Sequence, residues 1–225
     1  MEFVEADHPD VIAFAARATE GATTDRAKAV ALFYAVRDEI RYDPYRLSAD
    51  AESYRASDVL RAGVAYCIPK AVLLCAAARA VGLTARLGFA DVRNHLNSEK
   101  LRERMNGSDL FIWHGYVEFW LDARGGGGCP PDKGGVSRQR KWVKVTPAFN
   151  IELCERFGVL PLEFDGEHDA LFHPYTADGR EHMEYVRERG TFDDLPFEQI
   201  MEDFGPVFGR MLGEAPPADA AFRPA

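Results

Sequence analysis

The stretch CIPKAVLLCAAARAVG, residues 67–82, decides how the chain is built. Apolar residues surround nearly its whole circumference, so a helix over about Cys67–Ala80 has no face for water and is expected to be a buried central one. Pro69 fits the first turn, where a missing N–H costs nothing. Gly82 ends the helix. Cys67 then stands at the N-terminal end, where free backbone N–H groups and the positive end of the dipole favour a thiolate. That is one of the settings that lower a cysteine pKa. Cys75, two turns on among Val72, Leu74 and Ala78, is expected to pack as a small hydrophobe. A lone cysteine more often packs than reacts, since free Cys is among the most buried residue types. Chemistry at Cys67 therefore needs a base.

Upstream of this helix the pattern is helical. PDVIAFAARATEG predicts a helix with Asp10 as N-cap and Gly21 beyond its end. TTDRAKAVALFYAVRDEIRY predicts a second, with Ala29, Leu32, Phe33, Val36 and Ile40 on one face. DPY at 43–45 breaks it, and SDVLRAG predicts a short helix with Ser57 as N-cap and Gly63 as stop. Downstream the period changes to two. TARLGFADV alternates, with Ala85, Leu87 and Phe89 on one side. NSEKLRERMNG predicts a short exposed helix capped by Ser98. LFIWHGYVEFWLD, aromatic and β-branched, is the strongest strand signal in the chain, and KWVKVTP is a further strand stopped by Pro147. The Gly-rich stretch between them predicts a long connection. Helices first and strands later give an α+β order, with the Cys67 helix packed on an antiparallel sheet.

The strand FIWHGYVEFW supplies a candidate base. Alternation puts His114, Tyr116, Glu118 and Trp120 on one face and Trp113, Gly115, Val117 and Phe119 on the other. A histidine in a half-buried strand is commonly a satisfied core residue. With a helix-start cysteine upstream, however, the order Cys…His is that of an activated thiol, whose proton passes to imidazole. Such partners meet in space and not in sequence. Of the other histidines, His8 and His182 lie in polar segments, His95 lies in a strand-to-helix loop, and His168 and His173 lie near an acidic turn. Without spaced partners they do not make a metal site.

The totals exclude several classes. Two hundred and twenty-five residues bury roughly 70–75% of their unfolded surface and need no disulfide staple. Four cysteines without CxxC spacing speak against zinc and against a disulfide framework. A formal net charge of −9 disfavours a nucleic acid partner. The N-terminus lacks the layout of a signal peptide and no apolar run reaches spanning length, so the expectation is a cytoplasmic protein with no membrane partner. From Ile151 onward the signals weaken: Asp-Gly turns at 165–166 and 178–179, then LPFEQIMEDFGPVFGRM, helical until Gly205-Pro206. The expected organisation is a core over 1–150 and a C-terminal extension over 151–225 packed on it, disordered from about 213.

Taken together, GVAYC before a helix, AVGLTARLGFADV, FIWHGYVEFWLD and KWVKVTPAFN resemble the bacterial transglutaminase-like superfamily over about residues 25–150. EIRYDPY resembles that family's leading segment. The resemblance implies a papain-like α+β fold and a Cys–His–Asp triad doing acyl transfer, with no cofactor. Cys67 matches the nucleophile and His114 the general base. The family's aspartate aligns with Thr146, whose hydroxyl can orient an imidazole but cannot stabilise an imidazolium as a carboxylate does. Asn150 could orient it instead, as the amide does in papain-like sites. Glu118 shares the face of His114 but stands four residues along it. For the oxyanion, the backbone N–H of Cys67 is expected, with Tyr66 as a candidate second donor or else a core residue. Trp113 either walls the cleft or packs in the core.

Three functions follow. The first is a cysteine amidase, peptidase or acyltransferase acting on a peptide or small amide or ester, hydrolysis being what the resemblance favours. The second is a non-catalytic peptide- or ligand-binding module, motivated by Thr146. The third is chemistry like that of the arylamine acetyltransferases, which use a similar triad. The oligomeric state is not legible in the sequence.

Overall fold

His8 accepts the amide N–H of Asp10 and opens α1 (Pro9–Ala18), so the cap lies two residues before the expected Asp10. Thr24 accepts the amide of Ala27 and opens α2 (Asp25–Glu39). The predicted face of α2, Ala29, Leu32, Phe33 and Val36 with Ile40 beyond, is buried throughout. These elements come from a computed structural model that describes residues 2–94, 99–122, 139–171 and 183–213.

A two-residue strand β1 (Arg41–Tyr42) follows, then 3-10 turns at Pro44–Arg46 and Ala51–Tyr54 and helix α3 (Ala56–Ala62). Ser57 lies inside α3 and does not cap it. Its amide and hydroxyl both donate to the carboxylate of Glu5, at 3.1 and 2.7 Å, so the N-terminal segment does the capping. Gly63 ends α3 at φ 62, a left-handed C-terminal residue. Strand β2 (Val64–Ala65) pairs in parallel with β1 and delivers the chain to α4 (Cys67–Ala80).

Every residue of α4 from Cys67 to Ala78 is buried. Helices α1, α2 and α3 pack on one side of it and strands β3 and β4 on the other. The four-stranded sheet has the order β5-β4-β3-β6, with β3 (Ala85–Asn94), β4 (Leu110–Asp122), β5 (Arg140–Val145) and β6 (Met183–Phe192), and all neighbours antiparallel. Helix α5 (Glu99–Arg104) lies between β3 and β4, and α6 (Ile151–Phe157) follows β5. The segment expected to be an exposed helix buries Leu101 and Met105.

Two departures matter for the site. Strand β6 lacks the alternation of a half-buried strand, because MEYVRERGTF exposes charge at an edge, yet it pairs with β3 from Leu87↔Phe192 to Asn94↔Met183. The sheet therefore does not stop at residue 150. Helix α7 (Phe197–Gly213) runs through Pro206 where the sequence predicts a stop. An internal proline costs about 3 kcal/mol. Burial of Ile200, Phe204, Phe208 and Met211 along one face opposes that cost. Ser98, His95, His173, His182, Cys129 and the expected disordered tail beyond 213 lie outside the described residues.

Candidate active site

Gly115 sets how close the sheet comes to α4. A Cβ there would stand 3.0 Å from the Ile68 Cα, 3.2 Å from the Ala71 Cβ and 3.2 Å from the Cys67 carbonyl oxygen. Only glycine lets β4 lie against the first turn of α4. The backbone N–H of Gly115 consequently reaches the Cys67 thiol, beside the N–H groups of Ile68 and of Cys67 itself. Pro69 contributes no N–H and that of Lys70 bonds the Tyr66 carbonyl, so the free donors at this helix start are those of Cys67 and Ile68, beside the sulfur.

Next to Gly115, β4 is irregular. The register passes from Ala90↔His114 to Val92↔Phe111, so Asp91 faces both Ile112 and Trp113. Trp113 adopts φ 60, a conformation an aromatic residue holds only when its surroundings impose it. They do so here. The carboxylate of Asp91 accepts the Trp113 backbone N–H at 3.1 Å, and that of Asp203 on α7 accepts the indole N–H at 2.8 Å. Arg189 on β6 bridges Asp91 and Asp203, with its guanidinium 4.7 Å from the centre of the Trp113 ring. Trp113 is 1% exposed and packs edge-on to Phe89, so it is a core residue fixed by an ionic clamp of which only Asp91 is buried, and it does not wall the cleft.

The bulge places the buried His114 imidazole against Thr146, with Nε2 3.0 Å from Oγ1. Thr146 Oγ1 donates its own proton to the Gly115 carbonyl at 3.0 Å. A hydroxyl has one proton, so toward His114 it can only accept. The neutral ring therefore carries its hydrogen on Nε2 and its lone pair on Nδ1. Asn150 is elsewhere: its Oδ1 accepts the backbone N–H of Tyr42 at 3.0 Å, anchoring β1. Glu118 pairs with Arg86 at 2.7 Å. Tyr66 gives its hydroxyl proton to Tyr54 at 2.7 Å, and Tyr54 passes its own to the Ser48 carbonyl. That leaves the Tyr66 hydroxyl no proton for an oxyanion.

Cys67 and His114 line one cavity together with Tyr42, Phe111 and residues of α7. Burial pushes the Cys67 thiol up to about 11, against the opposing pull of the three backbone N–H groups and of Lys70. Burial alone pushes His114 down to about 3. Both shifts favour a neutral thiol and a neutral imidazole near pH 7. Sequence reading misses Lys70, although a lysine inside an otherwise apolar helix is a visible anomaly. It lies one turn past Cys67, donates to the carbonyls of Arg37 and Ile40 at 2.9 and 2.5 Å, and is pushed by burial down to about 7. Gly115, a glycine within an aromatic strand, was equally legible as a point of close approach.

Elsewhere, the acidic turn at 165–168 satisfies itself. Asp165 accepts the backbone N–H groups of Glu167 and His168 and pairs with the His168 ring at 2.7 Å. Among the described residues no cluster of His, Cys, Asp and Glu is arranged to hold a metal ion, and no helix is long and apolar enough to cross a membrane. No curated protein and no solved structure matches the chain. The family model of the transglutaminase-like superfamily matches residues 12–147, more than half of its length.

Proposed function

The chain belongs to the transglutaminase-like superfamily, a group of papain-like cysteine acyltransferases and proteases, and from that premise we propose that it transfers an acyl group from an amide or ester through Cys67, with hydrolysis as the outcome. One observation carries the reading. His114 gives its Nε2–H to Thr146, whose own proton is committed to Gly115, while the ring shares a cavity with a cysteine at a helix start. The base is oriented without a carboxylate.

In the proposed reaction, Nδ1 takes the thiol proton as sulfur attacks the carbonyl carbon, and returns it to the leaving nitrogen or oxygen. The Cys67 backbone N–H at the start of α4 faces the developing oxyanion. Water then attacks the thioester by the same route in reverse. Thr146 orients His114 but lends the imidazolium no charge, so the pair works as a concerted general base and not as a standing ion pair.

A second reading is a binding module that retains the fold. What favours it is the same neutral resting pair, in which neither group is activated at pH 7. Mixing the protein with p-nitrophenyl butyrate separates the two. Acyl transfer gives a burst of nitrophenolate stoichiometric with protein and a butyryl adduct on the Cys67 peptide, slowed on the order of 100-fold or more in His114→Ala. Labelling elsewhere than Cys67, or an unchanged rate in His114→Ala, overturns it.

A further inference from the structure

Among the described residues, the lining of the Cys67 cavity carries no charged side chain. Phe204, Phe208 and Met211, at i, i+4 and i+7 on α7, present one face to it, opposite Phe111 and Ile112 of β4 and Leu47. The Tyr66 hydroxyl is committed inward to Tyr54, and Tyr54 to Ser48, while Tyr42 lines the cavity as well. A second cavity shares Tyr42, Pro44, Phe111 and His114 with the first. Its lining adds one amide, Asn94, and otherwise Val92, Leu101, Phe149 and Met183. His114 stands where the two meet, so a carbonyl presented to Cys67 has one apolar compartment on each side.

Resting on the acyl-transfer reading above, we infer that the acyl group taken by Cys67 is an uncharged apolar one, a straight-chain aliphatic or an aryl group, held between α7 and β4. The leaving group, also uncharged next to the scissile bond, lies in the second compartment. The physical ground is selective desolvation. Each methylene entering the α7 cavity gains roughly fourfold in binding. A carboxylate or ammonium placed there leaves water and meets no oppositely charged side chain among the described lining residues. In the step itself the Cys67 S–H and the substrate C–X bond break while C–S and X–H form. The thiol proton reaches X by way of Nδ1, and no further reactant is required.

The test compares p-nitrophenyl acetate, butyrate, pentanoate and hexanoate with p-nitrophenyl hemiglutarate, the charged counterpart of the pentanoate. The readouts are the rate of adduct formation at Cys67 and, separately, the Tm shift produced by hexanamide in the parent and in Cys67→Ser. The expected result is a rate rising severalfold per added methylene, hemiglutarate at least tenfold slower than pentanoate, and a Tm rise with hexanamide in both proteins. Phe208→Ala flattens the chain-length series, and Met211→Lys, closer to the helix end, moves the ratio toward hemiglutarate. A flat or reversed series with the adduct still on Cys67 overturns this inference and leaves acyl transfer standing. So does a series that neither variant changes. Absence of any Cys67 adduct overturns acyl transfer itself, and the acyl specificity with it.

Discussion

Thr146 accepts a hydrogen bond from the His114 Nε2–H and donates its own hydroxyl to the carbonyl of Gly115, both at 3.0 Å, so the residue that orients the imidazole also ties it to the strand carrying it. Imidazole orientation is thereby separated from imidazolium stabilisation, two jobs that a triad aspartate does together.

Replacing Thr146 by Asp restores the second job. The carboxylate favours the imidazolium, so the His114 pKa rises and that of Cys67 falls. Alkylation by iodoacetamide at pH 7 is expected to be about tenfold faster or more, which is one pKa unit of thiolate. Thr146→Val frees the ring and slows acylation without lowering the alkylation midpoint. An inert Thr146→Asp shows that the hydroxyl does not occupy the triad position.

Gly115→Val forces β4 away from Ile68, whose backbone cannot give as a flexible side chain would. Overpacking of this kind costs about 1–3 kcal/mol. Acylation is expected to fall further than stability does, because the Gly115 N–H leaves the thiol. Urea midpoints and burst rates for Gly115→Ala and Gly115→Val measure the two effects side by side.

Acid destabilisation has a defined sign. His114 is pushed from 6.5 down to about 3 in the folded protein, so the unfolded chain takes up this proton first as pH falls. The stability it contributes is fully present above pH 6.5 and is lost as pH falls toward 3. Urea unfolding at pH 7, 5 and 4 should show a smaller acid slope in His114→Gln than in the parent. The acid limb of kcat/KM lies below that of a free imidazole, and Thr146→Asp moves it upward.

Arg189→Met removes the bridge between Asp91 and Asp203 and leaves the buried Asp91 carboxylate with fewer donors. Breaking one partner of such a group costs about 3–5 kcal/mol. Adding Asp91→Asn should recover part of the loss, a coupling of about 0.5–3 kcal/mol in a double-mutant cycle. An additive cycle shows that the clamp is not one unit.

Helix α4 was legible from Cys67 to Ala80 because a nearly all-apolar helix with a proline in its first turn and a glycine past its end has few alternatives. Strand β4 and the face of α2 were legible from their periods. Capping was not: at α3 the carboxylate comes from Glu5, far from the helix in sequence. Strand β6 and the second half of α7 were missed for the same reason. Their local sequences, a charged edge and an internal proline, oppose structure that only tertiary packing supports. At the site, Cys67 and His114 could be named from position and order. Choosing between Thr146 and Asn150 required the chain to be folded, since both follow β5 and only one reaches the ring.

The place of β6 also sets a timetable. Strand β3 gains its second neighbour, and Trp113 its Arg189 and Asp203 contacts, only after some hundred further residues have left the ribosome. Until then the nascent chain carries Cys67 on a finished helix beside an unclamped base and a bare β3 edge. The strand carrying His114, the base of the proposed reaction, is thus clamped only after Arg189 and Asp203 have been made.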